Sequence, residues 1–353
     1  MKSQISTDER IGLPPPTTKA LPENNNEVVS QKVTAARTRN PWIAYAARRF
    51  VRLVVSIVAL VTAAYLMVRF LPGDPARLSL GADASAEQVL RRRTELGLDD
   101  SLLSQYFHFW ERLFQGNLGT SYGNRLPVFE IIAQRMPATL ELAVLTIIVI
   151  LVTGIPFGML VAEMTRGGRN RWLDTTFSAI TGFFTVAPVF VVAAISIFLF
   201  AISSPIFPVA GRSGPSSYVL PVLSLALPAV CAIARIVRAE TLSVLEADFV
   251  RTARSKRISK ARLYVRHVLA NLITPTLTIA GLMFGGLIAG SVFVETVFAW
   301  PGMGSTVVGS IADRDYSLVQ GIVLVYGGIV LLINLIVDLL IAAFDPRSRI
   351  TTT

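Results

Sequence analysis

Six long apolar runs constrain this chain more than any other feature. They lie near residues 50–71, 139–163, 174–201, 218–238, 274–298 and 319–343. A bilayer core about 30 Å thick is crossed by roughly 20 helical residues, and each run reaches that length. An unpaired backbone group in lipid is costly, so only segments that pair their own backbone can cross, and single runs of this length do so as helices. The expected fold is an all-α integral membrane protein with six transmembrane helices. The chain is 52% hydrophobic and only 16% charged, where a soluble domain carries about 25% charge. The first run starts near residue 50, is long and lacks a small-residue cleavage site, so it does not read as a signal peptide. Residues 1–44 are polar, rich in Pro, Asn and Thr, and without apolar period, which predicts a disordered cytoplasmic tail.

Positive charge sets the expected orientation. Arg37, Arg39, Arg48, Arg49 and Arg52 precede the first run, and Arg166, Arg169 and Arg171 follow the second. The densest group, Arg251, Arg254, Lys256, Arg257, Lys260, Arg262 and Arg266, separates the fourth and fifth, and Arg347 and Arg349 follow the sixth. The other short loops hold only Arg212, and Arg314 between Asp313 and Asp315. Both termini are therefore expected in the cytoplasm. Residues 72–137 are expected outside as a small helical region. Ser85 and Gln88 have capping-box spacing. "SLLSQYFHFWERLFQG" puts Leu103, Tyr106, Phe107, Trp110, Leu113 and Phe114 on one helical face and stops at Gly116. Such a region serves as a cap on the membrane body, as a docking surface for an external partner, or as both.

Several chemistries are disfavoured. The net charge of +10 suits nucleic acid or anionic lipid, but a chain this apolar belongs with lipid and not with nucleic acid. The single cysteine, Cys231, rules out an internal disulfide and reads as a small hydrophobe. His108 and His267 are the only histidines, so neither a metal cluster nor a catalytic triad is expected. None of Lys2, Lys19, Lys32, Lys256 and Lys260 follows a glycine, which excludes the Gly-x4-Gly-Lys phosphate loop. Transport against a gradient would thus draw its work from another subunit, with no cofactor held here. Mid-membrane ionisable groups, the mark of ion-coupled carriers, are scarce. Asp338 is the main exception and is expected to be paired or hydrated. Glu141, Glu163, Asp174, Glu240 and Glu295 are expected at span ends, within reach of water. Gly281, Gly285, Gly286 and Gly290 allow close helix contact. Gly154, Pro156 and Gly158 are expected to interrupt the second span, Pro188 the third, and Pro221 and Pro228 the fourth.

The stretch "EADFVRTARSKRISKARLYVRHV" has helical spacing, with Leu245, Phe249, Val250 and Ala253 on one side and the cations largely on others. Two readings stay open on these residues. One is an amphipathic helix lying on anionic lipid. The other is a helix seated in the groove of an ATPase.

Several segments, in order, resemble the ABC-importer inner-membrane permeases of the dipeptide/oligopeptide/nickel subfamily. "VRTARSKRISKARLYVRHVLANLITP" is similar to their cytoplasmic coupling loop. "RFLPGDPA" is similar to their external signature, here Pro72, Gly73, Asp74 and Pro75. "ELGLD", "GNLGTSYGNRLPV", "ETVFAWPGMG" with Trp300, Pro301 and Gly302, "DRDYSLVQG" and "NLIVDLLIAAFDPRSR" continue the likeness over about residues 45–350. One position departs: Arg257 stands where the loop usually has glycine, and at positive φ arginine costs about 1 kcal/mol or more.

The resemblance implies a permease domain over residues 45–350 with a coupling loop at 240–270. It implies ATPase contacts at Glu246, Phe249, Val250, Arg251, Thr252, Ala253, Arg254, Lys256, Arg257, Arg262 and Arg266. It further implies a heterodimeric pore with a second related permease. Two ATPase subunits would use ATP and Mg, and an extracytoplasmic solute-binding protein would touch residues 74–136 and 299–316. The expected setting is the bacterial inner membrane, and the expected cargo is short peptides. Nickel chelates, glutathione or another small solute are the alternatives within this class; an ion-coupled carrier and a non-transporting scaffold are the alternatives outside it. The resemblance names no substrate-contacting residue.

Overall fold

The computed structural model describes residues 41–344 except Leu71, Pro72 and Ala82. Most of the expected tail, Arg37, Arg39, Pro72, Arg347 and Arg349 lie outside the described residues. The chain divides into two units, residues 1–47 and 48–353. Of the first, only the opening of a helix is described; the rest of the described chain belongs to the second.

The structure is built from α-helices, in chain order α1 (Pro41–Phe70), α2 (Pro75–Leu80), α3 (Ala86–Glu95), α4 (Leu102–Phe114), α5 (Val128–Thr165), α6 (Arg171–Val186) and α7 (Val189–Ile197). Then come α8 (Val219–Glu246), α9 (Asp248–Ser255), α10 (Lys260–Leu263), α11 (Leu269–Val297), α12 (Met303–Ala312) and α13 (Tyr316–Phe344). Among the described residues, α1, α5, α8, α11 and α13 supply five segments long and apolar enough to cross a membrane. A sixth crossing arises if α6 and α7, with the π-helical turn Phe198–Ser203 after α7, count as one span.

That sixth segment is interrupted at Pro188, as expected for the run over 174–201. It bends by 99° at Ala187 and Pro188. Proline has no N–H to continue the ladder and pushes the residue before it out of the helical region; Ala187 accordingly has ψ 126°. The other expected interruptions do not occur. α5 runs unbroken through Gly154, Pro156 and Gly158, and α8 through Pro228. In α5 the glycines serve contact instead. A methyl on Gly158 would lie 2.5 Å from the Ala234 carbonyl oxygen and 2.9 Å from Val237 Cβ. Gly158→Leu is therefore expected to push α5 from α8 and destabilise the protein by roughly 1–3 kcal/mol, seen as a lower Tm in detergent; an unchanged Tm would contradict this packing. Gly281 and Gly285 likewise face Val337 and Val330 across the α11–α13 contact.

One apolar cluster links Ile150 of α5, Ile233, Val237 and Leu245 of α8, Val250 and Ala253 of α9, Leu263 of α10, and Leu272 and Leu287 of α11. A second joins Val61 and Ala64 of α1 with Phe109 of α4 and Leu324 of α13. Ser85 and Gln88 form the expected capping box on α3. The apolar stripe of α4 is rotated from the expected one. Tyr106, Phe109, Trp110 and Leu113 turn toward α1, while Leu103, Phe107 and Phe114 are exposed. The sequence window does not reveal which aromatic meets α1, because residues three and four apart both fit one face. Asp338 is paired with Arg49.

Candidate functional site

α9 and its flanks form a short cationic projection that returns into the bundle. The segment starts where α8 ends at Ala247 in an extended conformation. Val250 and Ala253 point inward and are buried against α8 and α10. This corrects their expected role as contacts offered to a partner. The apolar stripe of α9 is consumed by the chain's own core, because small and branched apolar residues at helical spacing match the cleft below α8. Phe249 alone of the expected apolar face is exposed. Glu246, Arg251, Thr252, Arg254, Lys256, Arg257, Arg262 and Arg266 are all exposed. The Thr252 hydroxyl donates to the Asp248 carbonyl at 3.1 Å, and Arg251 lies a loose 3.8 Å from Asp248.

The helix ends in a specific turn. Arg257 N–H donates to the Arg254 carbonyl at 2.9 Å, and Ile258 N–H donates to the Ala253 carbonyl at 3.4 Å. This pair of bonds is the Schellman motif, whose C′ residue is left-handed and usually glycine. Arg257 occupies that position with φ 53°. The turn thus has the left-handed geometry that glycine adopts at least cost, and arginine bears it. Ile258 then packs on the same cluster as Val250.

Beyond the turn, α10 is tied to the end of α5. Lys260 Nζ donates to Glu163 Oε1 at 3.0 Å, and the Tyr264 hydroxyl donates to Glu163 Oε2 at 2.5 Å. Burial, and then the bond to Glu163, push the Tyr264 phenol above its usual pKa, so it stays a donor. A π-helical turn over Tyr264–Val268 leads into α11. Nearby, Arg238 of α8 pairs with Asp174 of α6 at 2.5 Å and reaches Thr165 of α5 at 3.3 Å. The projection is therefore joined to α5, α8 and α11 together. Lys260, Glu163 and Tyr264 were not foreseen as a cluster, since Glu163 lies about a hundred residues from the other two in sequence and shares no motif with them.

The segment "ETVFAWPGMG" forms a clasp at the other end of α11. Glu295 is fully buried, which corrects its expected access to water. Its carboxylate accepts from the Thr139 hydroxyl at 2.8 Å, from Gly304 N–H at 2.6 Å and from Ser305 N–H at 3.2 Å. The last two belong to the first turn of α12, where free N–H groups and the helix dipole favour an anion. Trp300, also fully buried, donates its indole N–H to the Ala138 carbonyl at 3.0 Å and meets the Tyr218 ring edge-on at 4.7 Å. Gly304 sits so close that a methyl there would be 2.8 Å from Glu295 Oε2. The clasp fastens α11, the Pro301–Gly302 turn and α12 to α5. Thr139 and Tyr218 were missed in the sequence, where neither carries a charge nor belongs to a motif.

Before α2, Gly73 has φ 124° and Asp74 caps the helix by accepting from Ala76 N–H at 3.2 Å, with Pro75 in its first turn. Asp74 also pairs with Arg93 at 2.9 Å. A hairpin over residues 120–127 is held to the start of α13, where Asp315 accepts from the Ser121 hydroxyl and from Gly123 N–H at 3.3 Å.

Known proteins place this geometry. A family model described as "Binding-protein-dependent transport system inner membrane component" matches residues 154–350, and its N-terminal companion matches residues 42–143. A glutathione transport system permease protein GsiC of Escherichia coli (strain K12) is 36% identical over 305 residues, covering 86% of this chain and 98% of that protein. A probable peptide ABC transporter permease protein y4tP of Sinorhizobium fredii is 37% identical over 313 residues, covering 86% and 99%. Among solved structures, the MetNI methionine ABC transporter in an inward-facing conformation matches with TM-score 0.51 at 20% identity, over 61% of this chain and 96% of that one, a likeness of fold. Helices, motifs and relatives agree: the chain belongs to the binding-protein-dependent transport system inner membrane components and is a multi-pass inner-membrane permease subunit of an ABC importer.

Proposed function

We propose that this permease moves short peptides into the cytoplasm by alternating access, with the work supplied by two separate ATPase subunits that grip α9. The observation carrying this reading is the two-sidedness of α9. Its inner face is keyed into the cluster that holds α5, α8 and α11, and its outer face, with the turn after it, offers Phe249, Arg251, Arg254, Lys256 and Arg257. A displacement of the outer face by a partner acts on the spans directly. ATP need only change the relative stability of two states of the membrane body. The cations suit carboxylates at the rim of a partner's groove, and Phe249 suits its floor.

In this reading the basic segments at 166–171 and 247–268 face the cytoplasm, both termini lie there, and α2–α4 with the clasp face outward. A second related permease completes the pore, and a solute-binding protein delivers cargo. Peptide cargo is supported by the relatives named for glutathione and for peptides, since glutathione is itself a tripeptide. The pairing of Asp338 with Arg49 disfavours an ion-coupled carrier, as it occupies the main candidate carboxylate.

The test is purification of the tagged chain from its own membrane in mild detergent, followed by reconstitution. Two ATPase subunits and a second permease are expected to copurify. Uptake of a labelled tripeptide into liposomes is expected to need ATP and the binding protein. Uptake that persists when the ATPases are inactivated would overturn the reading.

A further inference from the structure

Ahead of its last residue, Glu163, the second apolar run over 139–163 carries charge only at Glu141. The Glu141 side chain is 41% exposed and pairs at 2.6 Å with Arg212, which is 37% exposed. The Tyr218 hydroxyl closes the group. It donates to Glu141 Oε2 at 2.7 Å and accepts from Arg212 Nε at 2.8 Å. Arg212 Nη2 donates to the same Oε2, so Glu141 Oε1 and Arg212 Nη1 stay out of these bonds. Beside the group lies an open cavity of about 500 Å³, walled by Leu140, Val144 and Leu145 of α5. Small-molecule sites occupy about 300–1,000 Å³ and combine apolar walls with a few placed polar groups.

Three elements set this group, and each is held from behind. Arg212 follows Gly211, whose N–H donates at 2.8 Å to the Phe298 carbonyl at the end of α11. Tyr218 meets the buried Trp300 of the clasp edge-on at 4.7 Å. Glu141 stands two residues after Thr139, which the clasp binds through Glu295. Groups held in place beforehand lose less freedom on binding. Charged side chains within a membrane span are rare; they face the bundle interior or a water-filled cavity and mark substrate paths. Glu141 is turned out of the bundle, which leaves the wet path. One anion, one cation and an apolar wall are the complement of a short peptide, with its ammonium, its carboxylate and the side chains between. Neither pole of a peptide leaves water cheaply without a partner. Because both side chains are partly solvated, the pair can part without stranding a buried charge.

We propose that Glu141 and Arg212 form a cargo site that reads both free ends of a peptide: Arg212 takes the carboxylate, Glu141 takes the ammonium, and the wall of Leu140, Val144 and Leu145 takes a side chain. The proposal rests on the peptide reading above and adds to it the requirement that both ends be uncapped. Each charged group exchanges its partner for the opposite pole of the peptide, so one ion pair becomes two and no charge is left unmatched. The guanidinium fork suits a carboxylate in particular. Tyr218 is a positioning residue, since its hydroxyl holds the two charged heads side by side while the site is empty.

The experiment uses the whole transporter in liposomes and three labelled probes: trialanine, its N-acetyl form and its C-terminal amide. Uptake is started from saturating binding protein already loaded with each probe, so that loading preference does not enter the rates. The wild type is expected to carry free trialanine at least about tenfold faster than either capped form, the worth of one hydrogen bond to a charged group. Arg212→Gln is expected to lose the discrimination against the amide and keep that against the acetyl form, and Glu141→Gln to do the reverse. Arg212→Lys keeps the charge and is expected to restore part of the preference for a free carboxylate. Tm and copurification of the ATPase subunits report assembly, and a merely structural role would slow all three probes alike. If the wild type takes up none of the probes with ATP and binding protein, the peptide reading fails and this proposal falls with it. If the wild type carries trialanine but carries the capped forms as fast, or if the variants keep its ratios or slow every probe equally, the site alone is overturned.

Discussion

Glu295→Ala is expected to leave a protein that inserts poorly and unfolds at a much lower temperature. The substitution removes the acceptor for two buried donors, the Thr139 hydroxyl and the Gly304 N–H, and for the half-buried N–H of Ser305. A buried donor left unsatisfied costs about 1–3 kcal/mol, so the loss is on the order of 3 kcal/mol or more, a large share of a marginal stability. Glu295→Gln keeps one oxygen acceptor but turns an amide N–H₂ toward backbone donors, and its cost is expected to fall between. Thermal unfolding of purified protein in detergent, together with its level in membranes, reads both. A Tm for the alanine variant close to that of the wild type would mean that the clasp does not hold α12 to α5.

The second large effect is on transport without an effect on folding. Arg251→Glu combined with Arg254→Glu is expected to abolish ATP-driven uptake and the copurification of ATPase subunits, while Tm and membrane level stay unchanged. Both side chains are exposed and bury nothing within the chain, so stability has little to lose. A grip built on opposite charge, however, becomes repulsive, and like charges across an interface cost several kcal/mol. Val250→Asp is the contrasting case. Val250 is fully buried in the shared cluster, so that change is expected to unfold the projection and lower Tm along with uptake. If the double arginine reversal left uptake intact, α9 would not be the point of grip.

Much of the fold was legible because lipid leaves so few options. The five straight crossings lie where the apolar runs lie, and Pro188 broke the remaining run at the residue where proline chemistry placed it. Gly154 and Gly158 were less legible. A glycine marks either a bend or a close neighbour, and only the position of Ala234 and Val237 decides between them. The same ambiguity governed Val250 and Ala253. An apolar stripe beside cations shows that a face will be covered, but not whether the cover is lipid, a partner or the chain's own α8. Glu295 was misplaced because burial in a membrane protein follows tertiary fit. Its partners Thr139 and Gly304 stand far apart in the chain, and Thr139 is an ordinary residue in an apolar run. Arg257 was legible as a departure from the family's glycine, and its φ of 53° places arginine in the left-handed region that glycine enters freely.

That single arginine bears on how force travels. Glycine visits many backbone states with little penalty, so a joint built on it yields when pressed and absorbs part of any push. With a side chain present, the neighbouring states are fewer and the elbow after α9 has less slack. The two crossed hydrogen bonds and Ile258 then close it from the other side. In the proposed reading, a push by a partner on the outer face of α9 would reach the membrane helices through a stiffer elbow than glycine would make.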